Sequence, residues 1–241
     1  MSNPAIHLFL AIFLLLGGIP LRATAEESAA VDPAATLGEL QRFYSGLTSL
    51  EFSFSQVTRS GGRERSGEGR AVLYRPCPAD RNDDPQCRSI LRWTYTAPEQ
   101  QIILNDGTRL SFFNQTDNQL LLASAEDMEQ DITYGLLSGA RDLAQDFSAR
   151  QAGVETADEK SPTLQALRLI PSRPHPQVKS ILVWFDRDLL IRRLVLEDHF
   201  GTVTILNFTD IRIDRLEAGD PAVRKQLLFL PLEKDTEIIH R

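Results

Sequence analysis

Arg75 to Gly107 decides the fold. It reads Arg75-Pro76-Cys77, a polar loop to Cys87, then Ile90-Leu91-Arg92-Trp93-Thr94-Tyr95, Pro98, Ile102-Ile103-Leu104 and Asn105-Asp106-Gly107. Ile90–Thr96 and Gln101–Leu104 are rich in the β-branched, aromatic and aliphatic residues that suit a pleated, half-buried surface. The Asn-Asp-Gly triplet supplies the turn that folds such strands back on themselves. With a period of two, Leu91, Trp93 and Tyr95 share one face. An apolar face of that size promotes aggregation unless something covers it. The stretch therefore reads as the inner wall of a curved sheet.

The pattern continues on both sides. Leu50, Phe52 and Phe54 alternate with Glu51, Ser53 and Ser55, and Gly67–Tyr74 follows after the Gly61-Gly62 turn. Leu110–Phe113 and Leu120–Ala123 complete six strands. Ile132, Leu136, Ala140, Leu143 and Phe147 then fall on one helical face. Gly135 and Gly139 interrupt that segment, and an internal Gly costs ~1 kcal/mol relative to Ala. Two readings follow, a marginal helix that acts as a movable lid or close helix–sheet packing through small residues. Phe147–Val154, Thr163–Ile170, Val178–Phe185, Ile191–Glu197 and Thr202–Ile213 resume strand patterns. Before all of these, Thr36–Leu47 reads as an amphipathic helix with Thr36 as N-cap and Glu39 completing a capping box.

The expected fold is mainly β, an incomplete, half-open antiparallel β-barrel of about 11 strands. It has an N-terminal helix and a helical lid over its concave apolar face. A closed barrel has little use for helices in the middle of its strand order, whereas an open one needs a cover. The lipid-binding apolar wall is assigned to Phe52, Phe54, Leu73, Leu91, Trp93, Tyr95, Phe112, Leu136 and Leu137, the last two from the helical segment. Such a face suits a lipid or another apolar ligand.

Residues 1–25 read as a signal peptide. Ala5–Leu16 is nearly all apolar but too short to span a bilayer, and Ala23-Thr24-Ala25 is a cleavage site. No Lys or Arg precedes the apolar run, a departure from the usual pattern. Residues 26–35 read as a flexible leader and 36–241 as the folded domain. Arg22 is the only charged residue in the first 25, so a net charge of −7 becomes −8 on their removal. An acidic chain without a basic stripe is a poor nucleic-acid binder. Cys77 and Cys87 are the only cysteines, and in an exported chain they read as a disulfide.

The chemistry of an enzyme is missing. His7, His175, His199 and His240 have no neighbours suited to a triad or a metal site, and Ser138 lies in no G-x-S-x-G elbow. The expectation is a binding protein without catalytic residues, cofactor or metal.

The ordered motifs resemble the LolA family of periplasmic outer-membrane lipoprotein carriers. They are Leu50-Glu51-Phe52-Ser53-Phe54-Ser55-Gln56, Gly67-Glu68-Gly69, Tyr74-Arg75-Pro76 and Leu91-Arg92-Trp93-Thr94-Tyr95. Asn105-Asp106-Gly107, Leu136-Leu137-Ser138-Gly139, Asp198-His199-Phe200-Gly201, Leu206-Asn207-Phe208 and Phe229-Leu230-Pro231-Leu232 follow in order. The resemblance runs from about Leu37 to Ile239. It implies a monomeric periplasmic chaperone that carries acylated lipoproteins from an inner-membrane lipoprotein-releasing ABC transporter to an outer-membrane lipoprotein receptor. It also implies that Arg75 ties the barrel to backbone carbonyls of the lid; the plain reading of Arg75 is a solvated strand-end arginine. Leu91, Leu232 and the residues between Cys77 and Cys87 depart from the family pattern. The same fold suits a carrier or sensor of another lipid, such as a glycolipid or aryl-polyene precursor. A sensor of mislocalised lipoproteins is a further class, and no second domain for it is visible.

Overall fold

In the computed structural model, which describes residues 32–77, 84, 87–126, 132–139, 142–152, 163–176 and 178–240, twelve strands form one sheet. The signal-peptide region, residues 26–31 of the leader, most of the loop between Cys77 and Cys87, and the end of the expected Phe147–Val154 strand lie outside the described residues.

Helix α1 (Pro33–Gly46) comes first. It begins three residues before the expected start. Asp32 is its N-cap and accepts from Ala34 N at 3.0 Å, with Pro33 in the first turn, where its missing N–H costs nothing. Thr36 is not the cap; it lies inside the helix and donates its hydroxyl to Asp32 O.

Strands β1 (Ser49–Ser60), β2 (Arg63–Tyr74), β3 (Ile90–Ala97), β4 (Gln101–Asn105), β5 (Arg109–Asn114) and β6 (Gln119–Ser124) form an antiparallel meander. Strands β1 and β2 extend past the expected ends at Phe54 and Gly67 as a polar hairpin closed by Gly61-Gly62. The expected single helix is two short ones, α2 (Ile132–Ser138) and α3 (Leu143–Asp146). Gly139 ends α2 with φ +58°, a left-handed conformation that glycine adopts without a Cβ penalty.

A second antiparallel meander follows: β7 (Phe147–Gln151), β8 (Gln165–Pro171), β9 (Ser180–Phe185), β10 (Ile191–Glu197) and β11 (Val203–Ile213). The two meanders join where β11 pairs with β1, with Phe54 opposite Phe208. Two elements not expected from sequence close the chain. Helix α4 (Pro221–Leu228) leads to β12 (Glu237–His240), which pairs parallel with β6.

The strand order is β12-β6-β5-β4-β3-β2-β1-β11-β10-β9-β8-β7. Edge strands β12 and β7 do not pair with one another, so the sheet stays open, an incomplete barrel of mainly β structure. The order explains where the helices go. The chain leaves β6 near one edge and re-enters at β7 on the other, so α2 and α3 lie in a connection that crosses the concave face. The path from β11, mid-sheet, to β12 at the far edge carries α4 across the convex face.

Each face therefore has its own core. On the concave side, Leu37, Leu40 and Tyr44 of α1 and Leu136, Leu137 and Leu143 of α2–α3 pack on Phe52, Leu73, Trp93, Val183, Leu194 and Phe208. On the convex side, Leu227 of α4 packs on Tyr74, Ile90, Ile102, Leu104, Phe113 and Leu120. Strands β2, β3 and β4 thus contribute to both cores, which is why Ile102-Ile103-Leu104 is an unbroken apolar run. None of the described helices is long and apolar enough to cross a membrane.

Candidate apolar cavity beneath the helices

The concave face is covered unevenly. On the side of β8, β9 and β10, Leu37, Leu40 and Tyr44 close against Leu167, Val183 and Ile191 without leaving room for a water. The Tyr44 hydroxyl accepts from Ile191 N at 2.8 Å, a buried bond that fixes α1 to β10. Burial pushes the Tyr44 pKa well above its ordinary value, although the Ile191 bond works the other way, so the group stays a neutral phenol. Gln41 Oε1 of α1 accepts from Leu143 N at the start of α3.

On the side of β1, β2, β3 and β11 the cover stands away from the sheet and leaves a cavity of about 410 Å³. Phe52, Leu73, Leu91, Trp93, Ile103 and Leu206 form its apolar floor. Ile132, Tyr134 and Leu137 of α2 form its roof. Its volume lies in the ~300–1,000 Å³ range of small-molecule sites. An aromatic cluster stiffens the floor. The Phe52 ring meets Trp93 at 5.4 Å and Phe208 at 5.0 Å, both edge to face, and Phe54 meets Trp93 at 4.5 Å and Tyr95 at 4.9 Å. Such pairs contribute ~0.5–1.5 kcal/mol each beyond the area they bury.

The mouth is polar. Gln56, Glu197, Asp198, Thr202 and Thr204 line it. Lys179 Nζ lies 2.6 Å from Glu197 Oε1 and holds that carboxyl below the usual range. For Asp198, what desolvation there is raises the pKa. Hydrogen bonds from Thr202 and from Phe200 N outweigh it, and the net direction is downward. Among the described residues there is no cluster of His, Cys, Asp and Glu able to hold a metal ion.

An apolar, roofed cavity on an open sheet coincides with the sequence family that matches. The family model of the outer membrane lipoprotein carrier protein LolA matches residues 45–219. The chain belongs to the LolA family. The outer-membrane lipoprotein carrier protein of Nitrosomonas europaea is 25% identical over 204 residues, covering 84% of this chain and 85% of that one. The protein of the same name from Alkalilimnicola ehrlichii is 28% identical over 217 residues, covering 87% of each. The fold is similar to the crystal structure of an uncharacterized conserved protein from Thermus thermophilus. Its TM-score is 0.53 at 14% identity, covering 87% of this chain and all of that one.

Within this LolA fold the expected wall residues divide. Phe52, Leu73, Leu91, Trp93, Tyr95 and Leu137 line the cavity. Phe54 does not line it and is buried on the same face of the sheet, against Trp93 and Tyr95. Leu136 turns the other way, toward Leu40 and Tyr44 of α1. Phe112 is opposite Ile103 and so on the concave side, but it does not line the cavity. Sequence reading missed Ile103, Leu206 and the threonines of the mouth. Ile103 was legible in principle, since it pairs with Trp93 in a run already read as a strand.

Arg75 Nη1 donates to the carbonyls of Tyr44 at 3.0 Å, Ser45 at 3.0 Å and Leu47 at 2.7 Å. These carbonyls belong to the last turn of α1 and its C-cap Leu47, not to α2. The lid is reached indirectly, because Gly139 packs against the backbone of Tyr44 and Ser45. Burial lowers the Arg75 pKa, while Tyr134 and Asp214 push it back up. Cys77 and Cys87 are disulfide-bonded, beside Arg75 and away from the cavity lining.

Proposed function

We propose that this chain is a periplasmic chaperone that carries acylated lipoproteins from the inner to the outer membrane. The observation that carries this reading is the apolar cavity roofed by α2 in a chain of the LolA family. Residues 1–25 act as a signal peptide that delivers the protein to the periplasm, an oxidising compartment that suits the Cys77–Cys87 bond. The protein works as a monomeric binding protein without catalysis. It receives cargo from an inner-membrane lipoprotein-releasing ABC transporter and passes it to an outer-membrane lipoprotein receptor.

Affinity limits the mechanism. Burying acyl chain is worth ~0.8 kcal/mol per methylene. Three long chains fully buried sum to tens of kcal/mol, beyond any releasable complex. Release is possible if closure of the helices over their own apolar face competes with cargo. Leu137 and Ile132 occupy in the closed state the place where hydrocarbon goes in the loaded one. Arg75 holds the end of α1, against which Gly139 of α2 rests, and so acts as the latch of that closed state.

Native mass spectrometry of the protein isolated from the periplasm tests the reading. A bound triacylated polypeptide is expected in wild type and is lost on Leu91→Glu. A bound glycolipid or other small lipid in its place points to a carrier of different cargo. Release of lipoproteins from spheroplasts tests the latch. If Arg75→Leu accepts and delivers lipoprotein at wild-type rates, Arg75 is not a latch.

A further inference from the structure

The cavity is polarised along its length, and its polar end is built. Leu73 and Leu91 stand at one end of the floor; Tyr95, four residues further along β3, stands about 13 Å away at ~3.3 Å per residue. There the Tyr95 hydroxyl donates to Gln56 Oε1 at 2.9 Å. Tyr95 and Gln56 are on β3 and β1, with β2 between them. The bond crosses β2 at Gly67, where a Cβ would press on the Tyr95 ring at 3.2 Å. Gln56 Nε2 in turn donates to Thr58 Oγ1 at 3.4 Å, and Thr58 Oγ1 lies 3.2 Å from Thr204 Oγ1 on β11. A polar strip thus runs across β3, β1 and β11 on the concave face, and Gln56, Tyr95 and Thr204 line the cavity with it.

The strip has a direction. A phenol facing an amide oxygen donates to it, which leaves the amide N–H groups of Gln56 pointing onward. One of them goes to Thr58, whose hydroxyl is hydrogen-bonded to that of Thr204, a pair in which either can donate. The second N–H of Gln56 then remains for whatever enters, and the Thr204 hydroxyl joins it whenever Thr58 is the donor of that pair. The strip offers protons, which suits a carbonyl oxygen. Just outside it Asp198 lines the mouth as a carboxylate beside the Glu197–Lys179 ion pair, so the mouth keeps a net negative charge and a headgroup with its own negative charge meets repulsion. Arg63 and Arg65 stand on the same face further along the hairpin, opposite Ser60 and Thr58, but do not line the cavity.

We propose that this end of the cavity binds the neutral carbonyl linker, ester or amide, of an acyl ligand, with the hydrocarbon running toward Leu73 and Leu91. The inference rests on the carrier reading and adds to it a rule of selection. Neutral acyl esters and amides are taken, while free fatty-acid anions are refused.

The test is displacement of an apolar fluorescent dye from the purified full-length protein by three ligands of matched length, methyl dodecanoate, the dodecanoate anion and tridecane. Tridecane serves as the reference for hydrocarbon burial alone. A net hydrogen bond is worth about a five-fold change in affinity. The ratio of ester to tridecane affinity is expected to fall about five-fold in Gln56→Leu/Thr204→Val, with a cooperative thermal transition verifying the fold. Wild type is expected to prefer the ester to dodecanoate, and Glu197→Gln to narrow that preference. An unchanged ester-to-tridecane ratio in the double variant, or a wild-type preference for dodecanoate, overturns the inference while the carrier reading stands. If neither the dye nor any of the three ligands binds, the carrier reading falls and the inference with it.

Discussion

Arg75 Nη1 lies 2.7 Å from the carbonyl oxygen of Leu47, where α1 has ended and β1 has not yet begun. The last carbonyls of a helix have no partner within it. Here a side chain from just past the end of β2 takes two of them, at Tyr44 and Ser45, together with the carbonyl of the C-cap Leu47, and its charge complements the negative end of the helix dipole. Charged hydrogen bonds of this kind are worth more than neutral ones. Arg75→Leu is expected to destabilise the protein by roughly 2–3 kcal/mol, because it removes the bonds and leaves carbonyls short of a partner. Urea denaturation with an unchanged m-value checks this, and a loss under ~0.5 kcal/mol contradicts it.

Gly139→Ala tests the contact between α2 and α1. An added Cβ runs into the backbone nitrogen of Ser45, and φ +58° disfavours any side chain. The contact is backbone on backbone, so no side chain can move aside. The expected outcome is a loss of roughly 1–3 kcal/mol. Amide exchange should rise in α2 and at the end of α1 while β3 and β4 stay protected.

Acid should loosen the same corner. Asp214 Oδ1 accepts from Thr48 N at 2.7 Å, Thr48 Oγ1 at 2.9 Å and Ser49 N at 3.2 Å. Desolvation raises its pKa, but these bonds and the Arg75 charge outweigh it, and the folded value lies below the ordinary 3.8. A depressed carboxyl contributes its stability above the unfolded pKa and loses it as pH falls through the folded one. Asp214→Asn is therefore expected to be less stable than wild type at pH 7. The difference should shrink as pH drops below 3.8, measured by urea midpoints across that range.

The disulfide predicts stability without function. Cys77 and Cys87 are 10 residues apart, and closing a loop of that size restricts the unfolded chain by about 2.5–3 kcal/mol. Cys77→Ser/Cys87→Ser is expected to lower the thermal midpoint. Acyl-ligand affinity at 25 °C should stay put, since neither residue lines the cavity.

The two tryptophans report separately. Trp93 lines the cavity, while Trp184 lies at the other face under Arg193, 5.9 Å from its ring. Acyl-ligand binding is expected to change the emission of Trp184→Phe, where Trp93 is the remaining reporter, and to leave Trp93→Phe unchanged. The reverse pattern contradicts the cavity as the binding site.

The parts legible in the sequence are those where one face is wet and the other dry. Phe52 and Phe54 against Ser53 and Ser55 give β1, and Leu91, Trp93 and Tyr95 give the floor. The outer hairpin carries no such signal. Thr58, Arg59, Arg63 and Arg65 are partly or fully exposed, and cross-strand pairing alone makes them a ladder. Helix α4 buries only Leu227 among its eight residues, too little to register as a period. Strand β12 is exposed throughout and exists because β6 offers it an edge. Phe112 has the right type and parity for the cavity; what decides is its place on β5, one strand beyond the cavity-lining Ile103, which no local pattern encodes. The direction of Arg75 is equally invisible in sequence, because which helix end lies within reach is a matter of tertiary placement.

The connection that carries α4 over the convex face bears on motion rather than on stability. Strands β2 to β6 are clamped from behind by Leu227 and by Arg92, whose Nη1 donates to the carbonyls of Leu227 at 2.9 Å and Phe229 at 2.7 Å. Raising α2 uncovers only the front of those strands. On the proposed mechanism the back would stay packed, so the sheet would keep its curvature while its cover swings, like the fixed leaf of a hinge. Such an opening would be a sub-global event on the free-energy scale of two short helices, with the unfolding of the sheet a separate and larger one.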